Sequence, residues 1–226
     1  MKAWLEGSTY DLEFLAAHLP AGDIRVGGEG EKFYLSSPRL DNLPGGSGLL
    51  LDVAEDLIES VNGLGRLLNP GFERIALTGA FTTNDDVTVA AATAHLVARS
   101  QLMATAVVLG PDGAPVPQPP SVATRYMGLA ATNAHVADLL KIMGRGEGLN
   151  WDDLYQVDEV IKRTGRIKAA MQAAGISETT RSRFKQTANY EARHAQTGQA
   201  PPANPMELAA ARTMMRQLAV AWLDSL

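Results

Sequence analysis

Cysteine is absent from all 226 residues, which excludes disulfides, thiolate-bound zinc, iron–sulfur clusters and a cysteine nucleophile. Aromatic residues make up only 6% of the chain, so close packing of alanine-rich helices is expected in place of a large aromatic-lined pocket. No stretch reaches the roughly 18 apolar residues of a membrane span. The start, Met1-Lys2-Ala3-Trp4-Leu5-Glu6-Gly7, lacks the apolar core of a signal peptide and is followed by Asp11 and Glu13. The expectation is a cytoplasmic protein without a membrane partner. Familiar catalytic signatures are missing as well. Gly27-Gly28-Glu29-Gly30-Glu31-Lys32 has neither the spacing nor the Ser or Thr of a phosphate loop, and Asn62-Gly63-Leu64-Gly65-Arg66 falls inside a helical pattern. There is no Gly-x-Ser-x-Gly elbow and no kinase signature set. The four histidines, His18, His95, His135 and His194, are scattered, so no metal site is expected and no cofactor is implied.

What is present is an ordinary globular composition, 46% hydrophobic and 20% charged. Its charge is sorted along the chain. Residues 1–120 hold seven basic and fifteen acidic side chains, a net of −8, and residues 121–226 hold thirteen and ten, a net of +3, which together give the overall −5. The span from Lys162 to Arg193 carries eight Lys or Arg against Glu178 and Glu191. A local cationic cluster sets the field that a phosphate meets at close range even when the net charge is negative.

Periodicity divides the chain into two kinds of structure. A short helix is expected over Tyr10 to His18, and Ile24-Arg25-Val26 with Lys32-Phe33-Tyr34-Leu35 reads as a hairpin. Leu40 to Gly48 reads as a loop. From Leu49 to Leu68, Leu50, Ala54, Leu57, Ile58, Val61, Leu64 and Leu68 recur at helical spacing, opposite Asp52, Glu55, Asp56 and Glu59. Asn69-Pro70-Gly71 stops that helix. Glu73 to Phe81, Val87 to Leu96 and Leu102 to Leu109 are rich in strand-forming residues, with Asn84-Asp85-Asp86 as a turn. Five prolines in Gly110 to Pro120 mark a semi-rigid linker. Beyond it, helices are expected over Val122 to Ala131, Ala134 to Met143, Asp152 to Arg163, Ile167 to Ala174, Glu178 to Thr187 and Met206 to Leu223, with Ser121, Asn133, Asn150 and Ser177 as caps. The fold class is therefore α+β: a small N-terminal antiparallel sheet with helices over 1–113, a linker over 114–120, and an all-helical domain over 121–226.

The segment Thr187-Ala188-Asn189-Tyr190-Glu191-Ala192-Arg193-His194-Ala195 concentrates the chemistry. Histidine is the side chain whose unperturbed pKa lies near neutrality, so His194 can carry a proton, Arg193 can hold a phosphate oxygen in a planar fork, and Asn189 can orient the imidazole or a sugar hydroxyl. Arg181, Arg183 and Lys185, one or two turns upstream, would add phosphate contacts. The competing reading is structural: Asn189 ends a helix, Arg193 ties down the following loop, and His194 packs. Met214, Met215 and Trp222 suggest an adaptable apolar face suited to a homodimer.

The order Trp151 to Ile161, Phe184 to Asn189, Ala192 to Ala195 and Pro202 to Leu208 resembles helical C-terminal domains of uncharacterised bacterial proteins, over about residues 121–226. Asn189 and His194 also have a spacing similar to that of HEPN domains, helical bundles many of which are metal-independent ribonucleases of toxin and defence systems. Asn189 stands where that family has an Arg. This resemblance implies RNA cleavage with His194 as general acid or base, Arg193 as phosphate clamp and Asn189 as orienting group, leaving a cyclic phosphate. The alternative is a non-enzymatic interaction or dimerisation module.

Overall fold

The computed structural model describes residues 1–43, 49–83, 87–90, 121–194 and 201–226. Five strands, β1 (Lys2–Glu6), β2 (Arg25–Glu29), β3 (Lys32–Ser36), β4 (Ala76–Thr82) and β5 (Thr88–Ala90), form one sheet in the order β2-β3-β1-β4-β5 with every pair antiparallel. Helices α1 (Thr9–His18), α2 (Pro38–Asp41) and α3 (Leu49–Leu68) are interleaved with the strands. Then come α4 (Val122–Thr132), α5 (Ala134–Gly144), α6 (Trp151–Arg163), α7 (Ile167–Ala173), α8 (Glu178–Asn189), a π-helical turn (Tyr190–His194) and α9 (Leu208–Asp224). The fold is α+β. Two compact units divide the chain: residues 1–58 with 73–128, and residues 59–72 with 129–226.

In the sheet unit, the central strand is β1, which the sequence reading leaves without an element. Its side chains alternate, Ala3 and Leu5 buried, and Lys2, Trp4 and Glu6 half-buried on the other face. Trp4 meets Tyr34 edge to face with ring centroids 5.7 Å apart. The hairpin β2–β3 is paired from Arg25↔Ser36 to Glu29↔Lys32. Gly27 packs tightly there, because a side chain at that position would push on the ring of Tyr34. Between β1 and β4 the register slips between Ala3 and Leu5, opposite Gly79, whose φ of 76° suits glycine. A short helix, α2, occupies the start of the stretch expected as a loop, with Ser37 accepting from the backbone N–H of Arg39. The turn at 84–86, the strands expected over 91–96 and 102–109, and the linker at 114–120 lie outside the described residues.

The helical unit is centred on α6, which packs against α5, α8 and α9. Its start is fixed by a capping box in which Asn150 accepts from the backbone N–H groups of Asp152 and Asp153 while Asp153 accepts from that of Asn150. Leu154, Val157 and Ile161 turn inward and are fully buried. Asn133 and Ser177 cap α5 and α8, as their positions before apolar-periodic runs predict, and Ser121 accepts from Thr124 at the start of α4. Gly175, at φ 66°, closes α7 with the paired bonds Gly175 N–H to Gln172 and Ile176 N–H to Met171. Met214, Met215 and Trp222, expected as a dimer face, are 6%, 0% and 0% exposed. They belong to the chain's own core, so the apolar stripe of α9 is not available to a second copy. Among the described residues, no helix is long and apolar enough to cross a membrane.

Candidate functional site

The candidate site sits where α8 runs beside α6. Asp158 of α6 has no solvent exposure and accepts a fork from Arg181, Nε to Oδ1 at 2.7 Å and Nη2 to Oδ2 at 2.8 Å. Lys185 lies one turn on, with its Nζ 3.6 Å from Asp158 and 3.1 Å from Glu159, and 5.3 Å from the centre of the Tyr155 ring. Lys162 reaches Glu159 at 3.2 Å. The hydrogen bond to Asp158 raises the Arg181 guanidinium above its ordinary range. At Glu159, burial favours the neutral acid, but hydrogen bonds from Lys185 and Lys162 outweigh it and lower the carboxyl from its ordinary value.

The third upstream cation has a different task. Arg183 donates from Nε to the carbonyl of Asn204 at 3.0 Å and from Nη2 to that of Pro205 at 2.7 Å. Thr187, buried one turn later, accepts from the backbone N–H of Met206 at 3.0 Å. Arg183 and Thr187 thus pin the segment that leads into α9. The loop-tying role considered for Arg193 is one that Arg183 performs. Among the three expected phosphate contacts, two are therefore joined in one ion-pair network and the third is bound to backbone.

Asn189 is the last residue of α8 and half-buried. The chain then widens into the π-helical turn that carries Arg193 and His194, and this turn touches α6. The side chains of Arg193 and His194 lie outside the described residues. No group of three or more His, Asp or Glu side chains placed to hold a metal ion occurs among the described residues.

Beside the network, a cavity of about 510 Å³ runs along α5 and α6. Three acids (Asp138, Asp152, Glu159) and three cations (Lys141, Arg145, Arg163) line it, and their charges cancel. Arg145 is engaged by Gln156 at 2.9 Å, which itself donates to Asp152 at 2.6 Å. A lining with balanced charge does not generate the one-sign field that draws in a polyanion. Asp158 is not legible along the chain, where it looks like one more wet-face carboxylate until α8 covers it. Its only signal is a position one residue after Val157 and two before Val160, on the margin of the apolar stripe. No family model, curated protein or solved structure matches this chain.

Proposed function

We propose that this protein is a non-enzymatic interaction module that presents the first turns of α3 to a partner. The observation that carries the reading is the ridge there: Leu49 and Leu51 are 58% and 42% exposed, on either side of exposed Asp52 and Glu55. Exposed large apolar side chains flanking two carboxylates suit a protein surface that offers apolar and basic groups together. The basic span, in contrast, is largely committed to the fold, because Arg181, Lys185 and Lys162 meet Asp158 and Glu159 and Arg183 and Arg166 meet backbone carbonyls.

A second reading, metal-independent RNA cleavage in the manner of HEPN proteins, is favoured by the π-helical turn at Tyr190–His194, since such turns are frequent at functional sites. Exposed Arg163 and Lys168 have no partner among the described residues and would supply phosphate contacts. In this reading His194 takes the proton of a 2′-hydroxyl whose oxygen attacks the adjacent phosphorus, the bond to the 5′-oxygen breaks as that oxygen receives a proton from water, and a 2′,3′-cyclic phosphate and a 5′-hydroxyl remain.

One experiment separates them. Purified protein is incubated with a mixed single-stranded RNA pool in EDTA beside His194→Ala, and affinity capture is run in parallel with wild type and the double variant Leu49→Glu, Leu51→Glu. The module reading expects no cleavage, and a retained protein partner that the double variant loses. Cleavage by wild type that His194→Ala abolishes would transfer the assignment to the ribonuclease. RNA contacts would in addition weaken steeply between about 50 and 200 mM salt.

A further inference from the structure

The helical unit has a second cavity, of about 210 Å³, beside the loop that joins α5 to α6. Its floor is apolar: Phe72, Met143 and Leu149 are each at most 7% exposed. Its charged lining is mostly of one sign, with Arg66, Arg212 and Arg216 against the single carboxylate of Glu147, three positive charges and one negative for a local net of +2. The larger cavity along α5 and α6 has no such imbalance.

The arginines are held in place by the backbone. Arg66 donates to the carbonyls of Met143, Arg145 and Gly146. Arg212 uses Nε on the Leu149 carbonyl at 2.7 Å, and Arg216 uses Nη1 on that of Leu67 at 3.3 Å. At Arg212 and Arg216 a carbonyl satisfies a donor without cancelling the charge. The remaining donors of Arg212 and Arg216 have no partner among the described residues. Arg212 and Arg216 are four residues apart on α9, so they share one face. Guanidinium groups already anchored lose little freedom on binding, and their planar forks match the oxygens of a phosphoryl group.

We propose that this cavity binds a small phosphorylated molecule, with the phosphoryl group held by Arg212 and Arg216 beside Arg66 and a short apolar body resting on Phe72 and Met143. A phosphate monoester carries about −1.5 to −2 charges near neutral pH, which complements the net +2. The volume is below the roughly 300 Å³ at which drug-sized pockets begin, so the ligand is small. This site is separate from the ridge on α3 and from the π-helical turn, and its outcome does not depend on either.

The test is calorimetric titration of the full chain with inorganic phosphate and with phenyl phosphate, at ionic strength matched by chloride. Saturable binding is expected, tighter for phenyl phosphate. Arg212→Gln and Arg216→Gln should each weaken it by about tenfold or more, the loss of charge-assisted hydrogen bonds. Lys141→Gln, on the other cavity, should leave it unchanged. Because both arginines also tie down backbone, Thr213→Glu is the companion variant. Thr213 is exposed on α9 at the cavity rim, and a carboxylate there competes for the arginines while leaving their carbonyl bonds intact. The proposal is overturned by the absence of saturable heat above the chloride control, by binding that survives Arg212→Gln, Arg216→Gln and Thr213→Glu at full strength, or by equal loss in Lys141→Gln. Phenyl phosphate binding no tighter than phosphate would overturn the role given to the apolar floor.

Discussion

Asp158 shows how far one buried charge constrains its surroundings. A carboxylate with no solvent exposure loses hydration that only a well-aligned partner can replace, and Arg181 supplies it with a two-bond fork. Removing the partner is therefore worse than removing both. Arg181→Met should lower the stability measured by urea denaturation by about 3–5 kcal/mol, and adding Asp158→Leu should recover most of that loss. A neutral single variant would show that Asp158 finds other compensation. Glu159 gives a pH signature. Its carboxyl is held below its ordinary 4.5 in the folded chain. A depressed folded value contributes stability that is whole above the unfolded value and disappears as pH falls through the folded one. The difference in urea midpoint between wild type and Glu159→Gln should thus be largest near neutrality and shrink below about pH 4.5. A difference independent of pH would exclude ionic stabilisation by Lys185 and Lys162.

Helix by helix, Gly63, from the glycine cluster set against a nucleotide loop, proves to be a packing device, as does Gly144. A side chain on Gly63 of α3 would overlap the carbonyl of Leu140, and one on Gly144 of α5 would overlap that of Glu59. The two backbones approach so closely at this crossing that only hydrogen fits. Gly63→Ala and Gly144→Ala should each cost about 1–3 kcal/mol or more through forced separation, read from melting or urea curves. Gly128 of α4 has open space where a side chain would stand. There the same substitution should stabilise, by about 0.5–1 kcal/mol. Opposite signs at helical glycines distinguish contact from propensity, and a loss at all three would point to propensity-independent damage. The caps follow simpler rules: Asn133, Asn150 and Ser177 act through neighbours two or three residues away, and this is why they are legible from the sequence. Central strand β1 is not, since only Ala3 and Leu5 mark its inner face.

For the whole molecule, the division into units does not follow chain order. Residues 59–72 belong with 129–226, where Arg66 holds three carbonyls of the α5–α6 connection and Arg216 holds the carbonyl of Leu67. A fragment consisting of residues 121–226 lacks those partners. It should melt at lower temperature and with a broader transition than the full chain, followed by circular dichroism. An equally sharp transition at the same temperature would mean that the 59–72 segment is dispensable for that unit.

The amino-acid order by itself determined the α+β class, the hairpin β2–β3, the long amphipathic α3 and most helix boundaries after residue 121, because periodicity and capping act over a few residues. It also identified Asn189, Arg193 and His194 as one short segment, and the structure places the last two on a π-helical turn. Tertiary structure alone decided which cations are committed. Arg181, Arg183 and Lys185 look equivalent along the chain, yet partners 23, 21 or 22, and 26 residues away bind them to a buried acid, to carbonyls and to a half-buried acid. The same holds for Arg66 and Arg212, which meet at one cavity although most of the chain separates them. Charge and periodicity are local properties, whereas the neutralisation of a charge depends on what folding brings beside it.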